Sequence, residues 1–331
     1  MRKVIFIAFS DLHINDWSRF NADNKRTQTH FRVLSLIKEA CAKYHCPALF
    51  CGDLFHKPEN ISPNLLNQTI EAFDSLDRDG FNIYGISGNH ELVSVVKPEQ
   101  EFKPVSWLNI LSRKYGFLNS LDLDRKDFVF QSEEDIKVSV FGVPYIDHNI
   151  GLNEYLKTVP FKNGYKNILL LHTDYPGAKD TDGSEVGTSE NINLNVLNRF
   201  DLVLCGHIHK PQRLSKKTFM IGAPLQQRRT DRDCEMGYWK VYSDLNMAFV
   251  PISQKFPQFI DVASKEDIKD DGNYYTVISS KAAITESAQV NHISKKLSKK
   301  RMVRRYLKTK GIADKKKESI LLDIIKESED D

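Results

Sequence analysis

The chain has 331 residues, 27% of them charged, and a formal net charge of +3; this is the make-up of a globular protein with room for about two domains. Its longest apolar stretch, Val4–Phe9, falls far short of the ~20 residues of a membrane span, so the reading is a cytoplasmic protein without a membrane segment. The five cysteines, at 41, 46, 51, 205 and 234, are odd in number and match no zinc spacing, and are expected to be reduced and structural.

Met1-Arg2-Lys3 ahead of Val4–Phe9 superficially resembles a signal peptide. The apolar run is too short and leads straight into Asp11-Leu12-His13, so it reads as a first strand. Thr29–Lys43 follows, with Phe31, Leu34, Ile37 and Ala40 or Cys41 at helical spacing. After a strand at Ala48–Cys51 comes a helix over Pro63–Leu76, with Leu65, Leu66, Thr69, Ile70 and Phe73 along one face. Pro63 suits a first helical turn and Ser62 its N-cap. Further strands are read at Asn82–Ile86, Lys137–Val143, Asn167–Leu171 and Asp201–Cys205. The βαβαβ opening predicts a right-handed, parallel start to a sheet. Thr173–Glu190, rich in Gly, Asp and Ser, reads as a loop.

From residue 218 the texture changes to short strands: Phe219–Ile221, Tyr238–Tyr242, Met247–Val250, Gln258–Val262 and Tyr274–Ser279. The expected boundaries are a main domain over 1–254, a small strand-rich domain over 255–290, and a tail of two amphipathic helices over 291–331. Charge is uneven along the chain. Ile293–Lys317 holds twelve Lys and Arg against Asp314, and the chain without it keeps 35 bases against 43 acids. Such a basic block is a solvated helix face, a nucleic-acid contact or a partner-docking surface.

Five apolar runs each end in metal-binding side chains. These are Asp11 and His13, Asp53, Asn89 and His90, His172, and His207 with His209. Ligands of open α/β sheets gather outside the carboxyl ends of strands, so five segments would deliver donors to one edge. Asp11, His13, Asp53, Asn89, His172, His207 and His209 make seven N/O donors, too many for one zinc ion. They suit two adjacent cations that share a carboxylate and clamp a phosphoryl displacement. No cysteine belongs to the set, and mixed imidazole and carboxylate donors suit Mn, Fe or Zn.

In this order, DLH, GDLFH, GNHE, the isolated His172 and GHIH resemble the signature of calcineurin-like metallophosphoesterases. Within them the chain looks like an SbcD-type recombination nuclease, of the compact kind encoded by bacteriophages and bacteria. Three details carry the finer likeness: His56 three residues after Asp53, Ser87 where protein phosphatases carry a phosphate-clamping Arg, and the added segments after 254. The resemblance implies an α/β fold, a four-layer αββα sandwich, with a small α+β DNA-capping domain and a C-terminal helical pair. It implies one metal on Asp11, His13 and His209, a second on Asn89, His172 and His207, and Asp53 between them. Mn2+ is the first choice, with Mg2+, Fe2+ or Zn2+ as alternatives. His90 would stabilise the transition state or protonate the leaving oxygen, Glu91 could polarise His90, and His56 would place the DNA end. Arg228, Arg229 and Arg232 would touch DNA phosphates. The implied activity is exonuclease on duplex ends and endonuclease on single strands or hairpins. The implied partners are an SbcC-type ABC ATPase bound by residues 291–331 and a second copy of the chain, in a heterotetramer that acts in DNA repair, recombination and replication. The alternative is a stand-alone phosphomonoesterase or cyclic-nucleotide phosphodiesterase on the same core.

Overall fold

Val4–Phe9 forms β1, and every residue from Ile5 to Phe9 is buried. An apolar run with no polar alternation fits a strand covered on both faces. The structure is a computed structural model that describes residues 2–17, 24–57, 61–77, 80–91, 105–122, 127–131, 136–146, 151–186 and 192–278. After β1 come α1 (Lys25–Tyr44), β2 (Ala48–Phe50), α2 (Pro63–Asp77), β3 (Ile83–Gly85), α3 (Trp107–Ser112) and β4 (Leu118–Ser120). Strands β1 to β4 are parallel neighbours in that order, as the βαβαβ reading expects. Ser62 caps α2 through its Oγ, which accepts from Leu65 N at 3.0 Å.

The second half supplies β5 (Asp127–Gln131), β6 (Lys137–Val143), α4 (Leu152–Thr158), β7 (Lys166–His172), a small hairpin of β8 (Ala178–Lys179) and β9 (Glu185–Val186), α5 (Leu194–Leu197), β10 (Leu202–Gly206), β11 (Gln212–Arg213) and β12 (Thr218–Met220). Of these, β6, β7, β10 and β12 run parallel, with β5 and β11 as antiparallel edges. Finally β13 (Gly237–Tyr242) and β14 (Met247–Pro251) return to the first sheet, β13 antiparallel to β1. A ribbon of β15 (Phe259–Val262) and β16 (Tyr274–Val277) follows.

Alternate side chains of each central strand face different layers. Phe6 and Ala8 join Leu49, Val140, Leu170 and Leu204 between the two sheets. Ile7 and Phe9 pack on Phe31, Leu34, Ile37 and Phe73 of α1 and α2. Leu169, Leu171 and Val203 pack on Leu152, Leu156 and Leu197 of α4 and α5. The result is helix, sheet, sheet, helix: the expected αββα sandwich.

Several boundaries differ from the sequence reading. Helix α1 begins at Lys25, not Thr29, because Arg26 and Thr27 are buried by bonds to Gln226 O and Asn15 O rather than by apolar packing. The stretch Thr173–Glu190 is not simply a loop: its described part, to Val186, contains the β8–β9 hairpin. Helices α3, α4 and α5 are too short for a periodic signal. The chain divides into two compact units, Met1–Ile260 with Lys269–Tyr275, and Asp261–Ile268 with Thr276–Asp331. The expected tail helices over 291–331, the basic block within them, and residues 279–290 of the expected capping domain lie outside the described residues.

Candidate metal centre

The donors stand where strands stop and the backbone turns sharply. Asp11 and His13, just past β1, have φ of 51° and 50°; Asp53, past β2, has 61°, and His207, past β10, has 95°. Non-glycine residues adopt this left-handed region rarely, and such strain concentrates at functional sites. The loops after β1 and β2 support each other as continued ladder: Asp11 N donates to Gly52 O at 2.9 Å, His13 N to Asp53 O at 2.9 Å, and Ile14 N to Leu54 O at 2.8 Å. Two glycines of the motifs are needed for close approach. A Cβ on Gly88 would strike the Asp53 carboxylate and backbone, and one on Gly206 would strike Cys51 O and Ser10 Oγ.

All seven sequence-predicted donors converge. One ligand atom each from Asp11, His13 and His209 lie within 4.8 Å of one another, and so do those of Asp53, His172 and His207. Asn89 Oδ1 is 3.0 Å from both His172 Nε2 and His207 Nδ1. Asp53 lies between the groups, its Oδ2 3.5 Å from His13 Nε2 and 3.4 Å from His172 Nε2. His13 Nε2 faces His209 Nε2 at 3.2 Å. Two imidazole nitrogens at that distance need a proton or a cation between them, so the donor set fits divalent ions. The electrostatics agree. Burial opposes the charge on Asp53, but His172 and His13 beside it hold its carboxyl well below the usual range. Burial pushes His172 down, yet Asp53 and Asp11 outweigh it and bring it up to about 9. Burial pushes Asp11 up and His13 well down.

His90 and His56 share the same cavity of about 390 Å³ with His13, Asp53, His207 and His209. His90 N donates to Asp53 Oδ1 at 2.9 Å, and its Nδ1 is 2.5 Å from His56 O. His56 packs edge-on against Trp17 with ring centroids 4.3 Å apart. Burial, then the neighbouring His90 and Lys57, bring His56 down to about 4. Arg228 also lines the cavity, but its guanidinium is engaged by Asp180 at 2.5 and 2.6 Å and by Asp231 at 3.3 Å. Arg229 and Arg232 follow in the same turn, Arg232 exposed and 3.5 Å from Asp233.

Glu91 corrects an expectation. It does not meet the His90 ring, whose Nδ1 is at His56 O. Its buried carboxylate instead accepts from Asp53 N at 2.9 Å, Phe55 N at 3.0 Å and Gly88 N at 2.6 Å. Glu91 is a strut that binds the GD and GN turns to each other. Ser87 does not face the cavity: it is fully buried and bonds to Asp122 and Ser106. The sequence reading missed Asp174, 3.1 Å from His207 Nε2, and Asp231, 3.4 Å from His209 Nδ1. Asp174 stands two residues after His172 in a segment already noted for its composition. Asp231 had no signal, being one acid in a charged turn.

A sheet sandwich that delivers seven Asp, His and Asn donors to one edge has the frame of a metal-dependent phosphoesterase, a hydrolase. The chain belongs to the calcineurin-like phosphoesterase family, which matches residues 5–211. It is 25% identical over 316 residues to the DNA double-strand break repair protein Mre11 of Nanoarchaeum equitans, covering 88% of this chain and 81% of that protein. A protein of Invertebrate iridescent virus 6, named provisionally as a phosphoesterase, is 28% identical over 188 residues, 53% of this chain and 56% of its own length. The SbcD component of the nuclease SbcCD from Staphylococcus epidermidis is 23% identical over 249 residues, 69% of this chain and 66% of that protein. Among the described residues, no helix is long and apolar enough to cross a membrane.

Proposed function

We propose that the chain is a nuclease subunit that hydrolyses DNA phosphodiester bonds with two divalent ions, Mn2+ first among the candidates, and works with an ATPase of the SbcC type. The observation that carries the two-ion reading is the place of Asp53, one buried carboxylate within 3.5 Å of histidines from both donor groups. Asp11, His13 and His209 would hold one ion, and Asn89, His172 and His207 the other. The ions would supply Lewis acidity, activating water and neutralising charge on the phosphate.

The protein's own part is positioning and proton transfer. The carbonyl of His56 holds the Nδ1 side of His90, leaving Nε2 to give a proton to the departing oxygen. His56 and Trp17 sit on the cavity rim, where a DNA end would be placed. Arg228 lines the cavity, and with Arg229 and Arg232 of the same turn it would contact phosphates, which predicts salt-sensitive binding without sequence preference. The nuclease reading draws on the relatives that carry repair and nuclease names, and on Ser87, which stands where protein phosphatases carry an Arg and bonds instead to Asp122 and Ser106, so that position supplies no cation. The segments after residue 254 would cap DNA, and those after 290 would dock the ATPase.

The test is digestion of linear duplex DNA against p-nitrophenyl phosphate in Mn2+, with and without an SbcC-type ATPase. Degradation of DNA is expected. Vigorous monoester turnover with DNA intact, ATPase included, would leave a stand-alone phosphomonoesterase or cyclic-nucleotide phosphodiesterase.

A further inference from the structure

Asp231 is fully buried, at the end of the short 3₁₀ turn Arg229–Asp231. Its Oδ2 lies 3.4 Å from His209 Nδ1, while the other ring nitrogen of His209 faces His13 Nε2 at 3.2 Å. A carboxylate on one side of an imidazole holds the N–H there and leaves the opposite lone pair for a cation. The carboxylate is itself tied down. Gln227 N donates to Oδ2 at 2.8 Å and Arg228 N at 3.2 Å, while Thr181 Oγ1 donates to Oδ1 at 2.8 Å and Arg228 Nε at 3.3 Å. Gln227 Nε2 also donates to Asp11 O at 3.3 Å and Leu12 O at 3.1 Å, so the same turn braces the Asp11 loop. Thr181 and Asp180, the latter paired with Arg228, belong to the hairpin segment, and Asp180 and Val186 wall the cavity.

We infer that Asp231 is a positioning residue: it fixes the tautomer and direction of His209, and through Thr181 and Arg228 it joins the cavity wall to that side of the metal centre. Arg228 is then a clasp as well as a cation at the rim. The inference rests on the two-ion reading above. It adds that the affinity of one ion is set by a residue outside the donor set.

Mn2+ binding to the full chain, measured by calorimetry, tests it. Wild-type protein is expected to bind two ions. Asp231→Asn should weaken one of them by about 10- to 100-fold and leave the other within about twofold. Wild type binding fewer than two ions would defeat the two-ion reading itself. Two ions with both affinities unchanged in Asp231→Asn would defeat only the role of Asp231. A readout without substitution covers a variant that fails to fold. In Zn2+-loaded wild type, ¹⁵N shifts of histidine-labelled protein should show His209 protonated at Nδ1. Protonation at Nε2 would overturn the inference.

Discussion

Two cavities lie at opposite ends of the same strands, and the larger is not the candidate site. One, about 570 Å³, is lined by Pro47 and Asn82, just before β2 and β3, with Cys41, Cys46, Tyr84 and Phe128. The other, about 390 Å³, includes His13, Asp53, His90 and His207, which follow β1, β2, β3 and β10. At the first end, Tyr84 stacks on Phe128 with centroids 3.5 Å apart. The Cys41 thiol is hydrogen-bonded with Cys46, and that bond and burial raise it far above its ordinary range. That is packing, with sulfur acting as a small hydrophobe. At the second end the backbone is left-handed at four donors and charged groups are buried together. Volume does not single out the candidate site here; convergent Asp, His and Asn side chains and local strain do.

The comparison breaks if the two ends respond alike to substitution. The largest effect is expected for Asp53→Ala, which should lower hydrolysis by at least about 1,000-fold and abolish Mn2+ binding with it. His90→Asn should cost about 100-fold or more in rate with both ions retained; loss of an ion, seen by calorimetry, would make His90 a donor instead. Glu91→Gln removes one carboxylate oxygen from three backbone N–H groups and should cost about 1–3 kcal/mol in chemical denaturation, with weaker metal binding as the turns loosen. At the other end, Tyr84→Ala should cost about 2 kcal/mol of stability and leave hydrolysis within about twofold. An equal loss of activity would end the distinction between the cavities.

A further effect, of similar size to the last two, concerns pH. Burial pushes Asp122 up to about 6, against hydrogen bonds from Ser87 that lower it. A carboxyl raised in the folded state contributes stability below its ordinary value of 3.8, and that contribution is lost as pH rises through about 6. Asp122→Asn should therefore gain on wild type by about 1–3 kcal/mol between pH 4 and pH 7. A difference in melting temperature that stays flat over that range would contradict it.

Much of this was legible in the sequence because both signals are local. A strand buried on both faces shows as an apolar run, and its first polar residue marks the carboxyl end. Hence β1, β2, β6, β7 and β10, and the seven candidate donors whose side chains converge, could be read directly. The edge strands β4 and β5 and the helices α3 to α5 are short and half-exposed, so periodicity could not find them. The supports escaped for another reason. Glu91 was visible, but its work is done on the backbone of residues 53 to 55 and 88, and no pattern records that. Asp231 reaches His209 across 22 positions, a contact only the folded chain makes.

The most direct measurement is the Mn2+ content of wild-type and Asp53→Ala protein at saturation, by equilibrium dialysis. Two ions per wild-type chain, with both lost or severely weakened in the variant, is the result expected of a carboxylate shared by two sites. One ion in wild type, or a variant that keeps a single tight ion unchanged, would contradict a shared two-metal centre at the strand ends.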